Sequence, residues 1–393
     1  MAQIDGREGK PLPKSRQSQE FTLTEYDAWQ ERQRGRNWTL NDVPFYKGKG
    51  NSLEQNPFDW HDYDYLNYYD QVYGRKCGAA GIGRLREAAI TAVSSDDDYA
   101  NHPYMKEDPD YIVRDGLLTE RKFDVGKLRD QQQAYAAALE QCGVKVYWLD
   151  YPEKPMAAYG PMTNQHSASE LTILPGGSII PKKGYALAPL SGFGRTEYLA
   201  RWAFWNLSIP VLLTITGKGV WIQGIFLADD VYVHAMSVET NEDGMQQFLP
   251  VLHRQCGDNV RVQRIYTPGA GYFDHKAGIS AHTDMIIAAV DVDKVVAYPA
   301  GLDVDTCNFL WGNGWKIIEA PVEEQINACA CNLVTVEPGL VIMHRGAKET
   351  IKAVRKAGVE VIEVDYEEYN RFGGGIHCAT MQILRDPGPR KFD

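Results

Sequence analysis

The chemistry starts from a thiol. Gly373-Gly374-Gly375-Ile376-His377-Cys378 sets a cysteine behind a run of glycines and ahead of a segment, through Leu384, that reads as a strand. Glycine backbone passes close to a ligand or takes φ > 0 where other residues resist. A thiol at the mouth of a strand, behind such a turn, is placed to be a nucleophile. The competing reading is an inert buried cysteine, because free Cys is among the most buried residue types. His282-Thr283-Asp284 offers an imidazole for proton transfer and a carboxylate for gripping N–H groups. Glu170, Gln223 and Asn332 complete the candidate set. Together these groups suit attack of a thiolate on an sp² carbon. The histidine would act as acid and then as base for water, with Glu170 and Asp284 holding a planar nitrogenous substrate. A positive neighbour would favour the thiolate.

Such residues need elements that bring them together. Four β-hairpins are legible. Glu170–Leu174 pairs with Ile179–Pro181, and Trp221–Leu227 with Val231–His234. Met285–Val290 pairs with Val295–Tyr298, and Asn332–Val336 with Leu340–Met343. Helix-then-strand signals follow, as in Lys127–Cys142 before Val144–Trp148 and Thr350–Ala357 before Val359–Val364. Weaker versions run through Glu197–Asn206 into Pro210–Ile215, and before Val260 and Lys316. The unit is hairpin, helix, strand, repeated about five times, with Leu85–Val93 opening the first unit and Cys378–Leu384 closing the ring. This pattern predicts an α/β fold, a pseudo-fivefold ββαβ propeller in one catalytic domain, with helices outside and hairpin strands around the centre. Glu170, Gln223 and Asn332 each lie six residues before a turn residue, and Asp284 lies seven before its own. In a ring of like units, that shared register puts them, with Cys378, at one end of the axis.

Residues 1–82 are rich in Gln, Asp, Asn, Tyr and Gly and weakly periodic, and they read as an N-terminal extension or arm ahead of a catalytic domain at 83–393. Of the 393 residues, 44% are hydrophobic and 24% charged, ordinary for a globular protein. A net charge of −11 argues against nucleic acid or an anionic membrane as partner. The seven cysteines are odd in number and scattered, which argues against a disulfide framework and for a reducing compartment. Met1 to Gln17 carries no apolar signal core, and no run is long enough to span a bilayer, so a cytoplasmic location is expected. No cofactor is expected, and the expected partner is a small-molecule substrate.

On His282-Thr283-Asp284, the glycine-rich approach to Cys378, and Met162–Glu170, the chain resembles the pentein, or guanidine-modifying, superfamily over roughly residues 84–386. That superfamily includes arginine and agmatine deiminases, amidinotransferases and dimethylarginine hydrolases. The resemblance implies Cys378 as nucleophile, His282 as acid/base, Glu170 and Asp284 as substrate clamps, and a homo-oligomer. Gln223 and Asn332 join the substrate-binding candidates by register.

The chain also departs from the family. Where the family usually carries Glu-Gly-Gly-Asp, with the Glu pairing the catalytic histidine, this sequence reads Gln223-Gly224-Ile225-Phe226. Gln223 neither holds His282 protonated nor attracts a guanidinium. The arginine often found shortly before the nucleophile is replaced by Gly373, with Arg371 two residues earlier. Both departures argue against arginine. They suit a neutral amidine-like carbon whose leaving group departs as an anion, such as C2 of a 2-nitroimidazole losing nitrite, and the chain resembles that nitrohydrolase branch. Phe193, Trp221 and Phe226 are candidates for a flat apolar pocket, with core packing the plainer reading of Trp221. The alternatives are a guanidine C–N hydrolase of deiminase type, an amidinotransferase, a non-catalytic binding protein of the same fold, and a metal site of Cys329, Cys331, His377 and Cys378. The spacing of the last is too tight for structural zinc.

Overall fold

The computed structural model describes residues 75–92, 111–114, 117–120, 124–149, 172–182, 196–267, 282–370 and 374–392. Strand β1 (Leu85–Thr91) is followed by a small hairpin, β2 (Tyr111–Arg114) and β3 (Leu117–Glu120). Then come α1 (Val125–Gln141), β4 (Lys145–Leu149), β5 (Thr172–Leu174), β6 (Gly177–Ile180), α2 (Thr196–Asn206) and β7 (Val211–Thr214). The third unit is β8 (Ile225–Ala228), β9 (Val231–Met236), α3 (Glu242–Cys256) and β10 (Arg261–Tyr266). The fourth is β11 (Ile287–Asp291), β12 (Lys294–Ala297), α4 (Val304–Gly312) and β13 (Lys316–Glu319). A short helix α5 (Val322–Ala328) leads to β14 (Val334–Glu337), β15 (Leu340–His344), α6 (Lys348–Lys356) and β16 (Glu360–Val364). A last turn of helix, α7 (Glu367–Asn370), precedes β17 (Thr380–Arg385).

Besides the β2–β3 hairpin, the strands form five three-stranded sheets, each an antiparallel pair plus a parallel third strand delivered by a helix. The expected closure is present in the first sheet: β17 pairs antiparallel with β1, and β1 pairs parallel with β4. The sequence dictates the helix ends. Asp124, Asn241 and Asp303 cap the starts of α1, α3 and α4 by accepting backbone N–H bonds, which satisfies donors a helix start leaves orphaned.

A three-stranded sheet cannot bury itself, and each of the five hydrophobic clusters joins two sheets. Leu174 and Ile179 meet Trp221, Tyr232 and Phe248 between the second and third sheets. Leu227 and Val233 meet Ile287 and Val295 between the third and fourth. Val290 and Val296 meet Val341 and α6 residues such as Val354 between the fourth and fifth. Val334 and Ile342 meet Leu85, Leu128 and Tyr135 between the fifth and first. Ile173 and Ile180 meet Ala89, Met381 and Ile383 between the second and first. The pairs run in cyclic order, so stability is divided among five seams.

Residues just ahead of β1 are bonded into this body. Gly78 bridges to Leu384, and Ala79 N–H donates to Ile173 O at 3.0 Å. The inner strands β5, β8, β11, β14 and β17 all contribute walls to one central cavity of about 80 Å³. Among the described residues no helix is long and apolar enough to cross a membrane.

Candidate active site

The inner strands begin later than the sequence pattern implies. Gln223, Asn332 and Cys378 each stand two residues ahead of β8, β14 and β17, and Asp284 sits in a 3₁₀ turn, Thr283–Met285, ahead of β11. The shared register survives, but the side chains project from pre-strand turns. There they escape the strict up-down alternation of a strand. Glu170 falls outside the described residues, as do Phe193, Arg371 and Gly373.

Cys378 is 5% exposed. Asn332 grips it twice: Nδ2 donates to Sγ at 3.1 Å, and Oδ1 accepts from the Cys378 backbone N–H at 3.0 Å. The same Nδ2 lies 3.3 Å from the backbone oxygen of Asp284, so both ends of the Asn332 amide are committed inside the protein. The thiol faces Asp284 Oδ2 at 3.5 Å. Burial pushes its pKa well up and the Asp284 charge adds to that, while the Gly375 amide and Asn332 pull the other way. The resting thiol is therefore neutral.

The glycines approach the thiol itself. A Cβ on Gly374 would meet Cys378 Cβ at 2.9 Å, and one on Gly375 would meet Asn332 Oδ1 at 2.6 Å. The glycine run lets the chain fold over its own thiol.

Asp284 is 2% exposed. Burial raises its pKa, but the hydrogen bond from His377, helped by nearby His282, outweighs burial and leaves it below the usual value. His377 Nδ1 lies 2.8 Å from Asp284 Oδ2, whereas Asp284 Oδ1 is buried with no hydrogen-bond partner. Buried polar atoms normally have partners, so an unmet carboxylate oxygen marks a place for a ligand donor. Gln223, Asp284 and His377 share the wall of the central cavity with Phe226.

The third sheet corrects one inference from the sequence. Gln223 does not leave His282 without a carboxylate. Glu239, in the loop between β9 and α3, places Oε2 2.6 Å from His282 Nε2 and is wholly buried. The loop is held in place from several sides. Ser237 Oγ accepts from Glu239 N–H, and Thr240 Oγ1 meets the buried His234 ring at 3.0 Å. Ala235 N–H donates to Thr283 Oγ1 at 2.9 Å, clamping the His-x-Asp turn to β9. The signal was available: a hairpin's second strand ends where its first begins, so the loop after β9 also faces the site end. Gln325 on α5 was missed as well. It donates to Met285 O and accepts from Cys331 N–H, tying the His282–Asp284 turn to the Asn332 segment.

Trp221 is fully buried against Phe248, with ring centroids 4.5 Å apart, and belongs to the core. His377 spends Nδ1 on Asp284 and Nε2 on Gln382, and among the described residues no group of three or more His, Cys, Asp or Glu side chains is arranged to hold a metal ion.

The arginine deiminase family model matches residues 308–385. The 2-nitroimidazole nitrohydrolase of Mycobacterium sp. strain JS330 is 36% identical over 363 residues, 91% of this chain and 94% of that protein. The chain belongs to that nitrohydrolase family, within the pentein superfamily. The dimethylarginine dimethylaminohydrolase of Pseudomonas aeruginosa is 27% identical over 282 residues, covering 68% of this chain and 94% of its own. Among solved structures, the N-terminal domain of ArgZ, an arginine dihydrolase from cyanobacteria, superposes with a TM-score of 0.57 at 15% identity, over 77% of this chain and 99% of that one. A dimethylarginine dimethylaminohydrolase gives 0.54 at 20% identity, over 76% and 99%. These likenesses show the pentein fold and place the chain among enzymes that hydrolyse C–N bonds.

Proposed function

We propose that this protein hydrolyses 2-nitroimidazole-type compounds to the imidazolone and nitrite, with Cys378 as nucleophile. One observation carries the reading. Among the described residues, the cavity wall beside Asp284 presents the neutral Gln223 and the aromatic Phe226, while the nearby carboxylate of Glu239 is committed to His282. A guanidinium calls for opposing carboxylates, whereas a neutral ring whose leaving group departs as an anion is better served by an amide and an aromatic face.

In this reading the open Oδ1 of Asp284 accepts the ring N–H and orients C2 toward Sγ. The thiol gives up its proton to neutral His282, sulfur bonds to C2, and nitrite leaves with the C–N bonding pair. His282, its imidazolium favoured by Glu239, protonates the ring nitrogen as charge builds there. A water then loses a proton to His282 and attacks the same carbon. The C–S bond breaks, returning the thiol and releasing the 2-hydroxyimidazole, which tautomerises to the imidazolone. Asn332 keeps Sγ in line throughout. The protein works in the cytoplasm as a homo-oligomer.

The test gives purified protein 2-nitroimidazole in one tube, read for nitrite. Arginine, agmatine and dimethylarginine go in others, read for ammonia or dimethylamine. Nitrite release that is lost in Cys378→Ala supports the reading. Amine release without nitrite overturns it in favour of guanidine hydrolysis.

A further inference from the structure

A chain of side chains runs from the central cavity to the catalytic carboxylate, and its donors and acceptors fix a protonation state. Arg385, on β17 and 7% exposed, donates from Nε to Gln382 Oε1 at 2.8 Å. Its other nitrogens donate to Gly83 O and Thr335 O, each at 2.6 Å. A guanidinium only donates, so the Gln382 oxygen must face Arg385 and its NH₂ must face His377. Gln382 Nε2 lies 3.0 Å from His377 Nε2. An amide NH₂ likewise only donates, so His377 Nε2 must present its lone pair. The single ring proton then sits on Nδ1, pointing at Asp284 Oδ2 2.8 Å away.

We infer that Arg385 and Gln382 are positioning residues that hold His377 as the neutral Nδ1–H tautomer, so that Asp284 is anchored through one oxygen and keeps the other for substrate. A second proton on His377 would require the Gln382 amide to turn over, setting its NH₂ against the guanidinium. The charged and titratable groups around His377 oppose each other. Asp284, from the His-x-Asp turn, favours a cation, whereas His282 beside it and Arg385 on β17 disfavour one. The Cys378 thiol on its own turn is neutral, and Cys329 lies beyond it. The geometry of Gln382 decides between them. This inference rests on Asp284 working in the site as proposed above, but its readout needs no substrate.

The experiment is a two-bond ¹⁵N–¹H spectrum of the whole protein labelled at histidine, with His377 assigned by the signal lost in His377→Gln. The wild type is expected to show an unprotonated Nε2 and a protonated Nδ1 at neutral pH. Gln382→Met removes the donor, and a mixture of tautomers should replace the single one. Gln382→Glu puts a carboxylate between Arg385 and His377. It should give a doubly protonated ring at neutral pH and shift iodoacetamide alkylation of Cys378 to lower pH, by about one unit. A protonated Nε2 in the wild type at neutral pH overturns the inference without any variant. An unchanged single tautomer in both variants also overturns it, and either result leaves the nitrite assay untouched.

Discussion

Glu239 lies 2.6 Å from His282 and is wholly buried, yet it comes from a loop after β9 and not from the pre-strand turn that carries Gln223. The charge that steadies the His282 imidazole has been separated from the cavity wall that carries Gln223. A buried pair at this distance favours the imidazolium, and removing one partner leaves a desolvated charge. Glu239→Gln should lower kcat by about 100-fold, the scale of assisted proton transfer. The sign follows from the lost anion. The imidazolium becomes harder to keep, so the alkaline limb of the rate profile moves to lower pH. Rate measurements across pH on both proteins check this.

Cys378→Ala should lower turnover by at least about 10⁴-fold, as loss of a covalent nucleophile does. The fold should persist, because Asn332 still accepts from the backbone N–H of residue 378. Nitrite release and circular dichroism on the same sample separate the two effects.

Asp284→Asn should abolish turnover while making the thiol more reactive. The Asp284 charge raises the Cys378 pKa, so its removal lowers that pKa and speeds iodoacetamide alkylation at neutral pH. Stability responds separately. The folded Asp284 pKa lies below the ordinary value, so its contribution is complete above about pH 3.9 and is lost as pH falls through the lower folded value. The variant should therefore show a flatter acid limb in denaturation measured against pH.

Gly375→Ala should cost about 1–3 kcal/mol, because the new Cβ meets Asn332 Oδ1 at 2.6 Å and its Cβ at 2.8 Å. The collision loosens the grip on the thiol, so activity should fall further than stability. Urea unfolding beside kinetics distinguishes the two losses.

Trp221→Ala should cost about 3–5 kcal/mol by opening the seam between the second and third sheets, with a smaller effect on KM than on the melting midpoint. Calorimetry and steady-state kinetics test the pairing.

Much of this was legible because the chain repeats itself. The spacing from turn to polar residue exposed the common register of Gln223, Asn332 and Asp284, and the unmatched first strand, read as Leu85–Val93, called for the partner Cys378–Leu384. The exact strand starts were not legible, because apolar pre-strand residues such as Trp221 and Met285 carry the same hydrophobic signal as strand residues. Hairpin register places Glu239 in a loop at the site end, but its pairing with His282, like the contacts of Gln325 with Met285 and Cys331, is tertiary and no local period encodes it. His377 looked like a spare ligand beside the nucleophile until its two ring nitrogens were seen to be committed to Asp284 and Gln382.

The pairing of β17 with β1 has a consequence for synthesis. On the ribosome Cys378 and the strand behind it emerge after every other described wall of the cavity. Until they arrive, β1 has an open edge, Asp284 lacks its histidine, and Asn332 has no thiol to hold. The nascent chain thus carries most of its scaffold and none of its reactivity, and the same late event that completes the first sheet also delivers the thiol.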